Sequence, residues 1–152
     1  MKRMYIIAIL ALLLDQASKY AVRTWMHVGQ SIPLIPRVLH LTYVRNTGAA
    51  FGILAGKRLF FIIASLVVVA VLIVYSREVK GSPMLQAAFG LMLGGAVGNL
   101  VDRVLLQWVT DFIDLKIFPP IFNIADSALV VGVGLFALDM ILEWKREGQG
   151  AA

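Results

Sequence analysis

The chain reads as an all-α integral membrane protein: four transmembrane helices with a small extracytoplasmic β-sheet in the first outer loop. Three observations predict this. Of 152 residues, 60% are hydrophobic and 15% charged, too few charges to clothe a soluble globule of this size, and the mean hydropathy is +0.84. Four apolar stretches, residues 4–25, 57–76, 84–103 and 124–143, each hold enough residues, at a rise of about 1.5 Å, to cross a hydrocarbon core of about 30 Å. Between the first two, Val38, His40, Thr42 and Val44 alternate with Leu39, Leu41 and Tyr43, the period of a strand at an interface. The length fits one membrane-embedded domain over residues 1–152.

The first stretch begins with Lys2-Arg3 and an uncharged run, as a secretory signal does. Asp15-Gln16-Ala17-Ser18-Lys19 lacks a small-x-small cleavage site and the helical pattern runs on to Trp25, so it is expected to remain as the first span. Asp15 and Lys19 are four apart, the spacing of an ion pair that compensates its own burial. In the loop over residues 26–56, Asn46-Thr47-Gly48 is a turn signal and Ala49-Ala50-Phe51-Gly52 a compact apolar cluster. The second span has no charge between Arg58 and Arg77, as a lipid-facing or packing helix would.

In the third span Gly90, Gly94 and Gly98 recur every four residues and Asp102 takes the next step. Such a bare face lets neighbouring helices approach closely, while Asn99 and Arg103 form a polar stripe beside it. Pro119-Pro120 fixes where the fourth span starts. There Asn123 is a natural N-cap, with Asp126 three residues on favouring the positive helix end.

Apart from Lys19, within the first span, the basic residues divide six against seven between the two sides. The six, Lys2, Arg3, Arg77, Lys80, Lys145 and Arg146, flank very short connections, which carry the topological signal. Both termini are therefore expected in the cytoplasm, and the loops over residues 26–56 and 104–123 outside.

A net charge of +5 without a basic run does not indicate nucleic acid. Zero cysteines excludes a disulfide framework, a thiolate nucleophile and cysteine-ligated metals. His27 and His40 form no HExxH motif, and no Gly-x-Ser-x-Gly elbow occurs. Four aspartates remain where helices meet water: Asp102, Asp111, Asp114 and Asp126. Ionisable groups at that depth usually mark function, and two held close share a proton so that one activates water. By position, either Asp111 or Asp114 could fold back to Asp126. A proton relay in a transporter would instead place its acids near the bilayer midplane.

Asn46-Thr47-Gly48-Ala49-Ala50-Phe51, the run from Gly94 to Arg103, Thr110-Asp111-Phe112-Ile113, Asn123-Ile124-Ala125-Asp126-Ser127 and Asp15 with Lys19 closely resemble the lipoprotein signal peptidases (signal peptidase II). The likeness runs from the first span to the fourth. It implies a multi-pass aspartic endopeptidase of the bacterial inner membrane acting on lipid-modified prolipoproteins among membrane lipids; a monomer without cofactor is expected, and two aspartates activating water need no metal. It assigns catalysis to Asp111 and Asp126. Asn46, Gly48, Asn99, Arg103 and Asn123 would bind substrate or shape the site, supported by Asp15, Lys19 and Asp102. The stretch between Asp111 and Asp126 is short for the family.

Overall fold

A computed structural model describes residues 1–48 and 56–150, except the side chains of Lys80 and of residues 147–150. The cluster Ala49-Ala50-Phe51-Gly52 lies outside the described residues. Four long helices form: α1 (Lys2–Trp25), α2 (Arg58–Tyr75), α3 (Pro83–Leu105) and α4 (Ile124–Gly150). All four are long and apolar enough to span a membrane. Strands β1 (Ser31–Ile35), β2 (Leu39–Asn46) and β3 (Val109–Leu115) and a short 3-10 turn at Glu78–Gly81 complete the elements among the described residues.

The helix ends follow local chemistry. Ser82 caps α3, its Oγ accepting the Leu85 N–H at 3.1 Å, with Pro83 in the first turn where no donor is needed. At the other end the Arg58 guanidinium donates to the carbonyls of Arg103 and Val104, both at 2.8 Å, satisfying acceptors that a helix leaves open there. Gln107, at φ 75°, then turns the chain into β3.

Helix α3 is the hub, packed against α1, α2 and α4. Its glycines explain how. A Cβ on Gly90 would stand 2.6 Å from the Met4 carbonyl, and one on Gly94 2.6 Å from the Ala8 carbonyl. One on Gly98 would stand 2.5 Å from the Asp15 carboxylate. The whole face is therefore filled by α1, while on the α4 side a Cβ added to Gly132 would stand 2.8 Å from the Ala88 carbonyl. Among the described residues, Met4, Ala8, Leu72, Val79, Phe89 and Leu93 make one buried cluster between the helices. Helix α2, with one buried residue, Leu72, turns most of its surface outward; that is the lipid-facing role its composition suggests.

The small sheet forms, but the expectation that it belongs to the first loop alone is corrected, since only two of its strands lie there. It is three-stranded and antiparallel in the order β1-β2-β3, and β3 comes from the second loop. In the sequence β3 resembles a connection, because Asp111 and Asp114 interrupt its apolar residues. Pairing with β2 makes it a strand: Val44 stands opposite Asp111 and Asn46 opposite Val109, past an irregularity between Leu41 and Val44. Tyr43 and Phe112 seat the sheet on Val22 and Met26 at the end of α1.

Gly94→Ala should lower the melting temperature in detergent, because the new methyl meets backbone on α1. Overpacking of this kind costs about 1–3 kcal/mol. Gly134→Ala, where nothing lies within 4 Å, should leave melting unchanged or slightly raised. Equal melting of both variants would contradict the close approach of α1 and α3.

Candidate active site

The fourth helix begins with a reciprocal cap. Asn123 Oδ1 accepts the Asp126 N–H at 2.9 Å, and Asp126 Oδ2 accepts the Asn123 N–H at 3.2 Å. Asp126 is thus the helix cap that its spacing predicts, but its other oxygen remains for a further partner. Asp126 Oδ1 accepts Asn99 Nδ2 at 2.7 Å.

Asp111 reaches the same place from β3. Its Oδ1 accepts Asn123 Nδ2 at 2.7 Å, and its Oδ2 accepts Asn46 Nδ2 at 2.9 Å. Asn46 is held in turn by the Gly48 N–H, which donates to its Oδ1 at 2.9 Å. Burial first, then the charge of Asp126, push the Asp111 carboxyl up to about 7, against the two asparagine hydrogen bonds. A carboxyl titrating there can hold or release a proton near neutrality.

Asp111, Asp126, Asn46, Gly48, Asn99 and Arg103 line one cavity of about 600 Å³. Its remaining walls are mostly apolar, with Val109, Phe118, Ile121, Phe122 and Val130 among them. Asn123 lies behind it, fully buried.

Beneath the cavity lies a buried charge cluster. Lys19 Nζ pairs with Asp15 at 2.9 Å and approaches Asp102 at 3.6 Å, and neither it nor Asp15 has any exposed surface. The ammonium also donates to Asn99 Oδ1 at 2.9 Å. Asp15 accepts the Ala125 N–H at 2.9 Å, tying α1 to the first turn of α4. Asp102 accepts the Thr110 N–H at 2.8 Å and lies 3.6 Å from Arg23.

These contacts give Asp102 a different partner from its sequence neighbour. Adjacent residues on a helix diverge in direction, so Asp102 and Arg103 serve different neighbours. Asp102 turns toward α1 and β3. Arg103 instead lies over the Phe61 ring at 5.0 Å, and its strongest attractions are to Asp126 and Asp111, with Asp102 third.

Asp114 does not join the site. Thr42 and Lys116 donate to its Oδ2 at 2.6 Å and 2.5 Å. Burial alone would raise it, but those hydrogen bonds hold its carboxyl below the usual range. Gln16 and Thr110 are participants that the sequence did not reveal. Gln16 Nε2 bridges Asp15 and the Gly98 carbonyl at 3.0 Å and 3.1 Å, and Thr110 Oγ1 accepts from Arg23 at 3.2 Å. Only their adjacency to Asp15 and Asp111 pointed to them.

The family model described as signal peptidase (SPase) II matches residues 7–142. The chain belongs to the signal peptidase II family. It is 50% identical over 144 residues to the lipoprotein signal peptidase of Shouchella clausii (strain KSM-K16), covering 94% of this chain and 95% of that one. Against that of Bacillus subtilis (strain 168) it is 48% identical over 143 residues, covering 91% and 93%. A bacterial membrane enzyme solved by the in meso method at 2.3 Å resolution superposes with a TM-score of 0.90 at 39% identity, over 96% of this chain and 92% of that one. A second, at 1.9 Å resolution, gives 0.85 at 40% identity over 92% and 93%. The chain is thus a bacterial multi-pass membrane protease of the signal peptidase II family.

Asp102→Asn should melt markedly lower than the unaltered protein while keeping part of its activity. The substitution leaves Lys19 and Arg23 short of a counter-charge in a buried setting, and breaking such a pair typically costs about 3–5 kcal/mol. Unchanged melting would show that Asp102 does not hold the cluster.

Proposed function

We propose that this protein removes signal peptides from diacylglyceryl-modified prolipoproteins, cutting just before the lipidated cysteine, with Asp111 and Asp126 activating water. The observation that carries this reading is the convergence of two carboxylates on one mostly apolar cavity, each held by asparagine amides. The relatives named lipoprotein signal peptidase support the substrate class.

The chemistry follows from a carboxylate and a carboxylic acid side by side. The ionised member takes a proton from water as the oxygen attacks the scissile carbonyl carbon. The protonated member gives its proton to the carbonyl oxygen, forming a gem-diol. The first then passes its proton to the amide nitrogen as the C–N bond breaks, and the second recovers a proton from a diol hydroxyl. The pair ends as it began, with a new carboxyl on the signal peptide and a free amine on the cysteine. Asn46, Gly48, Asn99, Arg103 and Asn123 position the pair and the substrate backbone.

Depth accounts for the lipid requirement. Asp126 sits in the first turn of α4, and Asp111 in a sheet resting on the end of α1. A diacylglyceryl group anchored in the bilayer brings its cysteine to that level. With both termini in the cytoplasm, as the basic residues of the short connections favour, the site faces outward, where a translocated precursor is found.

Asp111→Asn and Asp126→Asn should each abolish cleavage of a diacylglyceryl prolipoprotein while the protein still inserts and melts cooperatively. The double variant should be no worse than either single one, because the two act as a unit. Near-normal turnover by either variant would reassign the pair.

The purified enzyme should also cleave lipidated precursor in EDTA and leave the unmodified precursor largely uncut. Activity lost to EDTA and restored by a divalent cation would refute the water-activation scheme. Equal cleavage of both precursors would refute the positioning by depth.

A further inference from the structure

Three asparagine amides surround the catalytic pair, and each oxygen accepts from a group that can only donate, that of Asn99 taking the Asn123 amide at 3.2 Å as well. Asn46 Oδ1 takes the Gly48 N–H, Asn123 Oδ1 takes the Asp126 N–H, and Asn99 Oδ1 takes the Lys19 ammonium, all at 2.9 Å. A backbone N–H and an ammonium have no lone pair to offer. Each amide is therefore locked with its NH2 group toward a carboxylate: Asn46 and Asn123 toward Asp111, Asn99 toward Asp126.

The two carboxylates are not equivalent within this frame. The amides facing Asp111 are anchored by neutral backbone donors, whereas the one facing Asp126 is anchored by a cation that polarises it. Asp126 also accepts the Asn123 N–H at the positive end of α4, a dipole that favours negative charge. Asp111 sits on a strand with no such field.

We propose, on the reading of Asp111 and Asp126 as the catalytic pair, that Lys19 is a positioning residue that divides their labour. Acting through Asn99, it makes Asp126 the carboxylate that takes the proton from water and leaves the shared proton on Asp111. Lys19 touches neither reacting group. Its net charge is largely spent on Asp15 and Asp102, and what remains is felt by both carboxylates, so the asymmetry comes from the amide that it polarises. Among the described residues, the charged groups acting on the pair are Lys19 and Asp15 from α1, Arg103 from α3 and the two aspartates themselves, with Asp102 bearing on Arg103 and Lys19. Of the two cations, only Lys19 reaches the pair through an amide that contacts just one of its carboxylates. The value of about 7 for Asp111 agrees with the same allocation.

Infrared difference spectroscopy with 13C-labelled aspartate tests the allocation directly. Near pH 6 the protonated carboxyl band of the unaltered protein should persist in Asp126→Asn and vanish in Asp111→Asn. The reverse, a band lost with Asp126 and kept with Asp111, would overturn the proposal without touching the assignment of the pair. Kinetics test the relay. In Asn99→Leu, and in Lys19→Met if it folds, kcat should fall at least tenfold with KM little changed. The acid limb of the kcat/KM profile should move up by about one pH unit, the size of a lost neighbouring cation. The double variant should move it no further than either single one. A loss of rate with the acid limb in place would show that Lys19 and Asn99 are merely structural and overturn the relay. Turnover by Asp111→Asn would instead defeat the underlying assignment.

Discussion

A lysine ammonium with no exposed surface, set between membrane-spanning helices, is the constraint around which the sheet-bearing half of this protein is arranged. An isolated charge there is worth several kcal/mol of destabilisation. Lys19 avoids that through Asp15, Asp102 and Asn99, and each partner is committed elsewhere as well. Asp15 takes the Ala125 N–H of α4 and Asp102 the Thr110 N–H of β3. One buried charge thus joins α1, α3, α4 and the sheet. With Arg23 beside Asp102, two cations face two carboxylates, and the cluster as a whole carries no net charge.

The glycine face makes that geometry available. Gly98 leaves the volume that the Asp15 carboxylate fills, so the small-residue stripe packs helices along most of α3 and houses a charge at its end. Asparagine suits the layer above. A lysine or arginine against Asp111 or Asp126 would fix both as carboxylates, while an aliphatic residue would leave them without hydrogen bonds at that depth. An amide supplies a neutral donor, and its own oxygen gives the surrounding backbone a means of orienting it.

Asp111 and Asp114 show how far environment outweighs residue type. They are three residues apart on one strand, so they face opposite sides of the sheet. Asp111 meets Asn46, Asn123 and Asp126, and its proton is held up to about 7. Asp114 meets Thr42 and Lys116 and stays ionised. It ties β3 to β2 and takes no part in the cavity.

Much of this was legible in the chain. Apolar length marked the spans, since the bilayer tolerates no other spacing. Alternation marked β2, the Gly90-Gly94-Gly98 repeat marked a helix contact, and the Asn123–Asp126 spacing marked a helix start. Each is a local pattern whose physical cause lies within one turn or one strand. The meeting of Asp111, rather than Asp114, with the start of α4, the turning of Asp102 toward α1 and β3, and the membership of β3 in the sheet belong to tertiary structure. They depend on which face of a strand or helix meets a distant element, and residues such as Gln16 and Thr110 acquire partners only there. Spacing along the chain states which groups are neighbours on one element; it carries no record of what the fold brings to the other side.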